Sequence, residues 1–296
     1  MSGFGVWQIT EDGNTAIHLK DESSLDAITR QLPDGYYSTF RTYAEGTRVL
    51  GLAAHMQRLY EPVSTPEVDE AMLRRQLSGL LQSYLPNEAR VRAIMTGQGE
   101  VYLAISPLVL LPRDVYDRGV HVETTDLQRE QPRLKSTSFI GRSDSERSHL
   151  AQEGIFEALL VKDGKILEGM TSNFFYVLRT PEKMQNGTAH TSSALVAEGA
   201  PRGAVLGTAR DDILLGVTRE TVIEIAGGRG LDLNYQPLPL DRVTAIDEAF
   251  LTSSSRGIVP VVRIDDGAIG QGGPGPITQQ LRGEYEMYVR AKAEKI

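Results

Sequence analysis

Cysteine is absent from the 296 residues, which excludes disulfides, iron–sulfur clusters, thiolate zinc sites and cysteine nucleophiles. Long hydrophobic runs are lacking as well. The most apolar stretch, residues 101–111, is shorter than the ~20 residues that a membrane-spanning helix needs. The first residues, MSGFGVWQITEDGN, have neither the basic nor the apolar region of a signal peptide. We therefore expect a soluble protein of the cytoplasm.

Positive charge is in deficit. The 31 Lys and Arg residues are outnumbered by 39 Asp and Glu residues, which gives a formal net charge of −8 at pH 7. Because nucleic acids and anionic membrane surfaces are polyanions, this balance argues against either as a partner. With 40% apolar residues, the chain is long enough to bury the core of one large domain or of two modest ones.

The periodicity of apolar residues predicts a mixed α and β protein in two parts. Helices are predicted over residues 52–60, 71–84, 219–226 and 277–295. Strands are predicted over residues 35–43, 91–96, 100–106, 120–124, 158–161, 173–178 and 249–252, with a hairpin in 261–268. A change of composition near residue 112 suggests a smaller N-terminal αβ domain (1–112), a linker (113–119) and a larger, β-rich C-terminal αβ domain (120–296). Residues 179–210 show no clear period and are expected to be functional or poorly ordered.

Two motifs match a pattern only by their letters. Residues 270–275 read GQGGPG, but neither a βαβ unit nor a suitably spaced acidic residue accompanies this GxGxxG pattern, so we interpret it as a loop before the last helix. The five histidines are scattered without HxxxH or HExxH spacing, so no metal site is expected.

Chemically more informative are five elements that occur in a fixed order. Lys135 stands in PRLKSTSF, and Glu168 follows 33 residues later in ILEGMTSNFFYVL. Residues 214–219, LLGVTR, lead a glycine and a threonine into a helix, and residues 251–256, LTSSSR, end a strand in hydroxyl side chains. Both could present N–H and O–H groups to a phosphate, and Arg58 could add a guanidinium.

In their order and spacing these blocks resemble the class IV aminotransferases, the pyridoxal-phosphate enzymes of fold type IV. That family includes branched-chain and D-amino-acid aminotransferases and aminodeoxychorismate lyase. The resemblance extends over nearly the whole chain, through residues 35–59, 132–177, 216–219 and 248–261. It implies a two-domain α+β fold, pyridoxal 5'-phosphate as cofactor, and an amino donor and a 2-oxo acid acceptor as substrates. It also implies a homodimer whose sites lie at the junction of the two domains and are partly completed by the partner chain.

The resemblance also implies individual roles. Lys135 would be the catalytic Schiff-base lysine, Glu168 would face the pyridine nitrogen, and Asn173 would be a structural asparagine. Leu214 would pack on the cofactor ring. The residues that would hold the phosphate are Arg58, Val217, Thr218, Ser253 and Ser254. The candidate contacts to the substrate are Tyr37, Arg92 and Ser255.

These residue types suit the implied chemistry. A lysine attacks an aldehyde only when it is neutral, so burial or neighbouring cations must lower its pKa. Once released by the substrate amine, Lys135 could move the proton between the substrate Cα and the cofactor C4′. A carboxylate beside the ring nitrogen keeps that nitrogen protonated, which maintains the electron sink of the cofactor.

Two departures from the family pattern leave the substrate open. Phe139 and Ile140 stand where many related transaminases carry an asparagine and an aromatic residue. The connection between Asn173 and Thr218 is longer than the family usually allows. The extra residues could form a surface loop or a lid. The leading hypothesis is a transaminase. A lyase that eliminates pyruvate from aminodeoxychorismate is the alternative, since residues 34–41 resemble that branch at least as much, and a non-catalytic binding protein on this fold is a third.

Overall fold

The computed structural model describes residues 3–179 and 203–296, so most of the irregular segment 179–210 lies outside the described residues. The helices are α1 Leu25–Arg30, α2 Leu52–Tyr60, α3 Glu70–Leu81, α4 Arg113–Arg118, α5 Ser138–Arg142, α6 Asp144–Glu153, α7 Val217–Gly228 and α8 Pro276–Lys292. The strands are β1 Gly5–Thr10, β2 Gly13–Ala16, β3 Gly35–Tyr43, β4 Arg48–Val49, β5 Ala89–Thr96, β6 Val101–Pro107, β7 Val120–Thr125, β8 Glu157–Lys162, β9 Lys165–Gly169, β10 Asn173–Arg179, β11 Ala204–Gly207, β12 Asp232–Asn234, β13 Leu238–Pro239, β14 Glu248–Ser253, β15 Gly257–Ile264, β16 Gly267–Ala268 and β17 Glu294–Lys295. Short 3-10 turns occur at Gln82–Tyr84 and Leu240–Ala245.

The chain divides into two compact units that each draw on separate stretches of sequence. The first unit comprises Met1–Leu110, Arg129–Ser145 and Met287–Ile296, and the second comprises Leu111–Gln128 and Glu146–Glu286. Residues 113–119, expected as a linker, contain the helix α4. The domain boundaries expected from the sequence describe parts of the chain that fold independently. The compactness of the two units does not test independent folding, so these boundaries stay a prediction.

The first unit is built on a seven-stranded sheet with the order β17-β4-β3-β5-β6-β1-β2, in which neighbouring strands are antiparallel. Helix α2 packs against β3 and β5 on one face, where Phe40, Met56 and Leu73 belong to one buried cluster. Smaller apolar clusters, which include Tyr37 and Ile94, involve the alternate residues of the same strands. Because both faces are covered, the central strands read as nearly continuous apolar runs rather than as alternating ones.

The second unit contains a ten-stranded mixed sheet whose pairings close into a ring. The ring runs β10-β14-β15-β7-β8-β9 and returns to β10, with β7 parallel to both β15 and β8. The closing contact between β9 and β10 pairs Glu168 with Asn173. Strand β8 pairs with β9, and β14 pairs with β10. Because β8 and β14 are buried along nearly their whole length, Glu168 and Asn173 lie between buried strands.

Several predicted elements are confirmed and others are wrong. The strand predicted over 35–43 and the helix over 52–60 have the predicted bounds. The last helix ends at Lys292 rather than at residue 295, because Glu294 and Lys295 pair with β4 instead. Helix α1 is absent from the sequence predictions, since its six residues are too few to show a helical period.

Glu294 has a second function, at the beginning of α2. The residue before this helix, Gly51, has no side chain to cap it, and a carboxylate oxygen of Glu294 accepts a hydrogen bond of 2.8 Å from the Leu52 N–H instead. The last residues of the chain thus supply a hydrogen-bond acceptor to the N-terminus of α2, the helix that carries Arg58.

We expect Glu294→Ala to lower the free energy of unfolding by about 1 kcal/mol, because the Leu52 N–H loses its acceptor and the helix N-terminus loses a negative charge. Urea denaturation would measure the change. Lys295→Ala, an exposed neighbour in the same strand, is the matched control and should remain near wild type. Equal stabilities of the two variants would contradict the capping role.

Candidate active site

The segment around Lys135 is tied to the edge of β3 in the first unit. The Tyr37 N–H donates to the Lys135 carbonyl at 2.9 Å, and the Thr137 N–H donates to the Gly35 carbonyl at 2.9 Å. Ser136 forms an isolated antiparallel bridge with Tyr36. Lys135 is therefore held in an extended run by backbone hydrogen bonds, although it lies outside every named strand.

Two cations face the ring of Tyr37. The Lys135 Nζ lies 5.0 Å from the ring centroid, and the Arg92 guanidinium carbon lies 4.6 Å from it. Arg92 is itself buried, and it donates to Asp26 at 2.7 Å and to Thr29 at 2.8 Å. The substrate role expected for Arg92 stays a prediction, and these contacts give it a structural role.

Helix α2 carries His55 one turn before Arg58. The side chain of His55 is 1% exposed, its Nδ1 lies 2.8 Å from the Ser38 Oγ, and its Nε2 is buried without a hydrogen-bond partner among the described residues. Burial lowers the pKa of His55 well below its ordinary value, and the charges of Arg58 and Lys135 lower it further. His55 is therefore a neutral imidazole in the folded protein.

In the second unit, Glu168 is a carboxylate anchored inside the protein. Its side chain is 1% exposed, and its Oε2 accepts hydrogen bonds of 3.1 Å from the Asn173 Nδ2 and from the Leu214 N–H. Asn173 also donates to the Leu214 carbonyl at 2.7 Å. Leu214, expected only as a packing residue, thus contributes its backbone to the same anchor.

A close approach at Gly216 completes this anchor. A Cβ added to Gly216 would lie 2.2 Å from the Asn173 Oδ1, a distance that no real pair of atoms maintains. Because Gly216 has no side chain, Asn173 can lie against the start of α7 while its amide holds Glu168. The glycine of the LLGVTR string is therefore a packing requirement.

The N-terminus of α7 is open to an anion. Gly216 precedes the helix without a side-chain cap, so the N–H groups of its first turn have no acceptor within the helix. Thr218 is 2% exposed, and its Oγ1 has no hydrogen-bond partner among the described residues. A buried donor that lacks a partner, beside the positive end of a helix, is the arrangement that binds phosphate elsewhere.

The hydroxyl-rich string turns the chain between two paired strands. Ser253 ends β14, and Ser254 and Ser255 form the turn that leads through Arg256 into β15. Helix α7 packs against β14, so these two phosphate-binding candidates belong to adjacent elements. All three serines are half-buried.

Behind this turn lies an ion pair that sequence reasoning missed. Arg256 donates to the Glu157 Oε2 at 2.8 Å and to the Thr171 Oγ1 at 2.6 Å. Burial opposes the charge of Glu157, but Arg256 and the hydrogen bonds from Thr171 and Ser172 outweigh it and hold the pKa of Glu157 below its ordinary value. The one available signal was Arg256 itself, which ends the LTSSSR string.

The expected site residues thus form two groups, one in each unit. Tyr37, Arg58, Arg92 and Lys135 belong to the first unit, whereas Glu168, Leu214, Val217, Thr218, Ser253, Ser254 and Ser255 belong to the second. The second group combines an anchored carboxylate with an open helix N-terminus and an unpartnered hydroxyl. These are the groups that a protonated pyridine nitrogen and a phosphate require, so the residues fit pyridoxal phosphate.

Two other kinds of site have no candidate within residues 3–179 and 203–296. None of the helices there combines the length and the apolarity that crossing a membrane requires. In the same ranges, no three or more His, Cys, Asp or Glu side chains are grouped so that they could hold a metal ion.

We expect the stability of the protein to fall as the pH drops below ~6.5, because the unfolded chain protonates His55 more readily than the folded one. Folding favours the neutral form of His55. The contribution of His55 to the free energy of unfolding is therefore complete above the unfolded pKa and is lost below it, at up to ~1.4 kcal/mol per pH unit. Urea denaturation between pH 5 and 8 would measure this slope. His55→Asn should flatten it, whereas His18→Asn, at an exposed position, should leave it unchanged. The same slope in all three proteins would contradict the prediction.

Comparison with known proteins agrees with this chemistry. A family model of class IV amino-transferases matches residues 35–264. A D-alanine aminotransferase of Bacillus licheniformis is 26% identical over 95% of this chain and 98% of its own. A branched-chain-amino-acid aminotransferase of Pseudomonas aeruginosa is 24% identical over 88% of this chain and 85% of its own.

Solved structures share the fold. The branched-chain aminotransferase of Thermoproteus uzoniensis with norvaline superposes with a TM-score of 0.72 at 23% identity, over 98% of this chain and 96% of its own. An aminotransferase of Mycobacterium tuberculosis in its PLP-bound form gives 0.71 at 20% identity, over 97% and 99%. Since the family model spans most of the sequence, the chain belongs to the class IV aminotransferases and is a pyridoxal-phosphate-dependent transaminase.

Proposed function

We propose that this transaminase moves an amino group between an aliphatic amino acid and a 2-oxo acid, with Lys135 and Glu168 as its catalytic residues. The observation that carries the assignment of the site is the buried carboxylate of Glu168, which Asn173 and the Leu214 N–H hold from two sides. Burying a carboxylate costs free energy unless a positive charge pairs with it. A protonated ring nitrogen of the cofactor would provide that positive charge.

Pyridoxal phosphate, when bound, supplies an electron sink for the electron pair left at the substrate Cα. The part of Glu168 is to hold the proton on the ring nitrogen, since a carboxylate favours the cationic form of a neighbouring base. Because Asn173 and Leu214 bind one oxygen of Glu168, the carboxylate is oriented before the cofactor arrives. Such preorganisation avoids a reorganisation cost during the reaction.

The phosphate group is assigned to the residues of the second unit that offer N–H and O–H donors. Val217 and Thr218 begin α7, and the Thr218 Oγ1, which has no hydrogen-bond partner in the described part of the chain, supports this assignment. Ser253 and Ser254 supply hydroxyls from the adjacent element. Arg58, on α2 of the first unit, remains the guanidinium that the family resemblance suggests for a phosphate. These contacts position the cofactor and do no chemistry themselves.

Lys135 is proposed to bind the cofactor covalently and then to move the proton at the substrate Cα. Both steps need a neutral amine. Lys135 is half-buried and its backbone is tied to β3, which limits the positions that Nζ can reach. Tyr37, whose ring faces Nζ, and Ser255 are the candidate contacts to the substrate.

The substrate class rests on the sequence relatives. Those named above are a D-alanine aminotransferase and a branched-chain aminotransferase, and both names specify aliphatic amino acids. The lyase and the binding-protein alternatives are not favoured, because these relatives are named as aminotransferases. A homodimer in the cytoplasm and the domain boundaries 1–112 and 120–296 remain expectations from the sequence and the family resemblance.

We expect Lys135→Met to lower kcat by at least about a thousandfold and to abolish the visible absorption of the lysine-linked cofactor, because no other amine replaces its proton transfer. Transamination of L-alanine, D-alanine, L-leucine and L-valine with pyruvate or 2-oxoglutarate would be followed, and at least one aliphatic donor should react. Lys162→Met, at an exposed position of β8, is the matched control. A normal spectrum in Lys135→Met would refute its assignment, and inactivity towards every aliphatic donor would refute the substrate class.

We expect Gly216→Ala to weaken cofactor binding by about tenfold and to lower the free energy of unfolding by about 2 kcal/mol, because the new Cβ displaces Asn173 from Glu168. Absorbance titration with pyridoxal phosphate and thermal unfolding would measure both. Within α7, which follows Gly216, a Cβ at Gly227 would meet no other described residue within 4 Å, so Gly227→Ala should leave the affinity unchanged and should not destabilise the protein. Wild-type affinity in Gly216→Ala would contradict the role given to Asn173.

A further inference from the structure

Arg256 contacts two segments of the second unit, the turn after Ser253 and the loop before Asn173, which the proposed function uses for different purposes. Its Nε donates to the Ser253 Oγ at 3.2 Å, and its backbone N–H donates to the Ser253 carbonyl at 3.3 Å. Its Nη2 donates to Glu157 and Thr171, and its carbonyl accepts from the Tyr116 hydroxyl at 2.9 Å. The side chain is therefore bound through Nε and Nη2, and Ser253 receives two of the contacts that Arg256 makes.

The far end of Arg256 rests on a buried carboxylate. Glu157 is 3% exposed, and its Oε1 accepts from the Thr171 N–H and, at 3.0 Å, from the Ser172 hydroxyl. A Cβ at Gly169 would lie 2.2 Å from the Ser172 Oγ, so the backbone after Glu168 passes close to this cluster. The guanidinium is thereby anchored to the loop between β9 and β10, which ends at Asn173.

This geometry decides what Ser253 can do. A hydroxyl has one proton to donate and two lone pairs, and the Arg256 N–H uses one of the lone pairs. The hydroxyl proton of Ser253 must then point away from Arg256, where an anion could accept it. Since Glu157 neutralises Arg256, the pair orients the hydroxyl and adds little net charge of its own.

We propose that Arg256, held by Glu157, is a positioning residue that orients the Ser253 hydroxyl towards the cofactor phosphate. This inference rests on the proposed function, in which Ser253 binds that phosphate. Arg256 touches neither substrate nor cofactor in this assignment. Its effect on the cofactor passes through the Ser253 hydroxyl and so belongs to ligands that carry a phosphate, whereas its contacts with Glu157 and Thr171 hold the guanidinium in place.

The test compares two probes, pyridoxal 5'-phosphate and pyridoxal, which lacks the phosphate. Their dissociation constants would be measured by absorbance titration of the full-length apoprotein. Arg256→Met should weaken pyridoxal phosphate by about tenfold, as expected for loss of one oriented hydrogen bond to an anion, and should leave pyridoxal within about twofold of wild type. Ser253→Ala should give the same pattern, and the double variant should be no weaker than either single variant, because one contact is removed in all three.

Two further variants separate orientation from charge and from stability. Arg256→Lys keeps a cation beside Glu157 but cannot also reach Ser253 with a fork, so it should resemble Arg256→Met in the ratio of the two affinities. Arg229→Met removes another partly buried arginine from an ion pair, the one with Glu284, in the same unit. It should reduce thermal stability without changing the ratio.

The proposal is overturned if Arg256→Met leaves the ratio of affinities at its wild-type value, whether both probes bind normally or both weaken together. It is also overturned if Arg256→Lys restores the ratio, since charge would then be the operative property, or if the effects of Arg256→Met and Ser253→Ala add. Failure of the proposed function looks different. In that case wild-type protein itself binds pyridoxal phosphate no more tightly than pyridoxal, or Lys135→Met retains the lysine-linked absorption.

Discussion

Burial of the Glu168 carboxylate is the constraint on which the second unit depends. A charge in a low-dielectric interior is tolerated only when several donors meet it, and here those donors come from residues far apart in sequence. Asn173 faces Glu168 across the pairing that closes the ring of strands, and Leu214 contributes from the loop before α7. Gly216 then follows from sterics, because no side chain fits beside Asn173. One polar anchor thus explains the identities of Asn173 and Gly216 and gives the Leu214 backbone a role.

The proposed catalytic lysine belongs to the first unit, where a different physical constraint acts. Lys135 is positioned by backbone hydrogen bonds to β3, whereas the neutral state of His55 results from burial beside two cations. Both residues depend on α2 and β3 packing together, and the end of the chain caps α2 through Glu294. The terminal residues therefore support the site without contributing chemistry.

Much of the proposed site could be expected from the sequence, because the strings that resemble class IV aminotransferases are local and occur in order. Lys135, Glu168, Asn173 and Thr218 could be named from such strings, and the strand 35–43 and helix 52–60 from their periodicity. The contacts of Glu157 and Arg256 could not be named, because they join positions 99 residues apart whose partners no local pattern specifies. The same limit applies to Arg92. Its sequence position suggested a carboxylate ligand, but Asp26 and Thr29, on a short helix without a visible period, bind its guanidinium.

By itself, the sequence indicated the class of chemistry through its resemblance to the class IV aminotransferases, which rests on the ordered strings around Lys135, Glu168, Thr218 and Ser253. It also excluded thiol and disulfide chemistry, since cysteine is absent. The tertiary structure alone decided which donors remain available. Arg92 donates to Asp26 and Thr29 within the first unit, whereas the Thr218 hydroxyl has no hydrogen-bond partner among the described residues. The physical reason is that the availability of a polar group depends on its neighbours in space, and hydrogen bonds between distant segments leave no periodic trace in the chain.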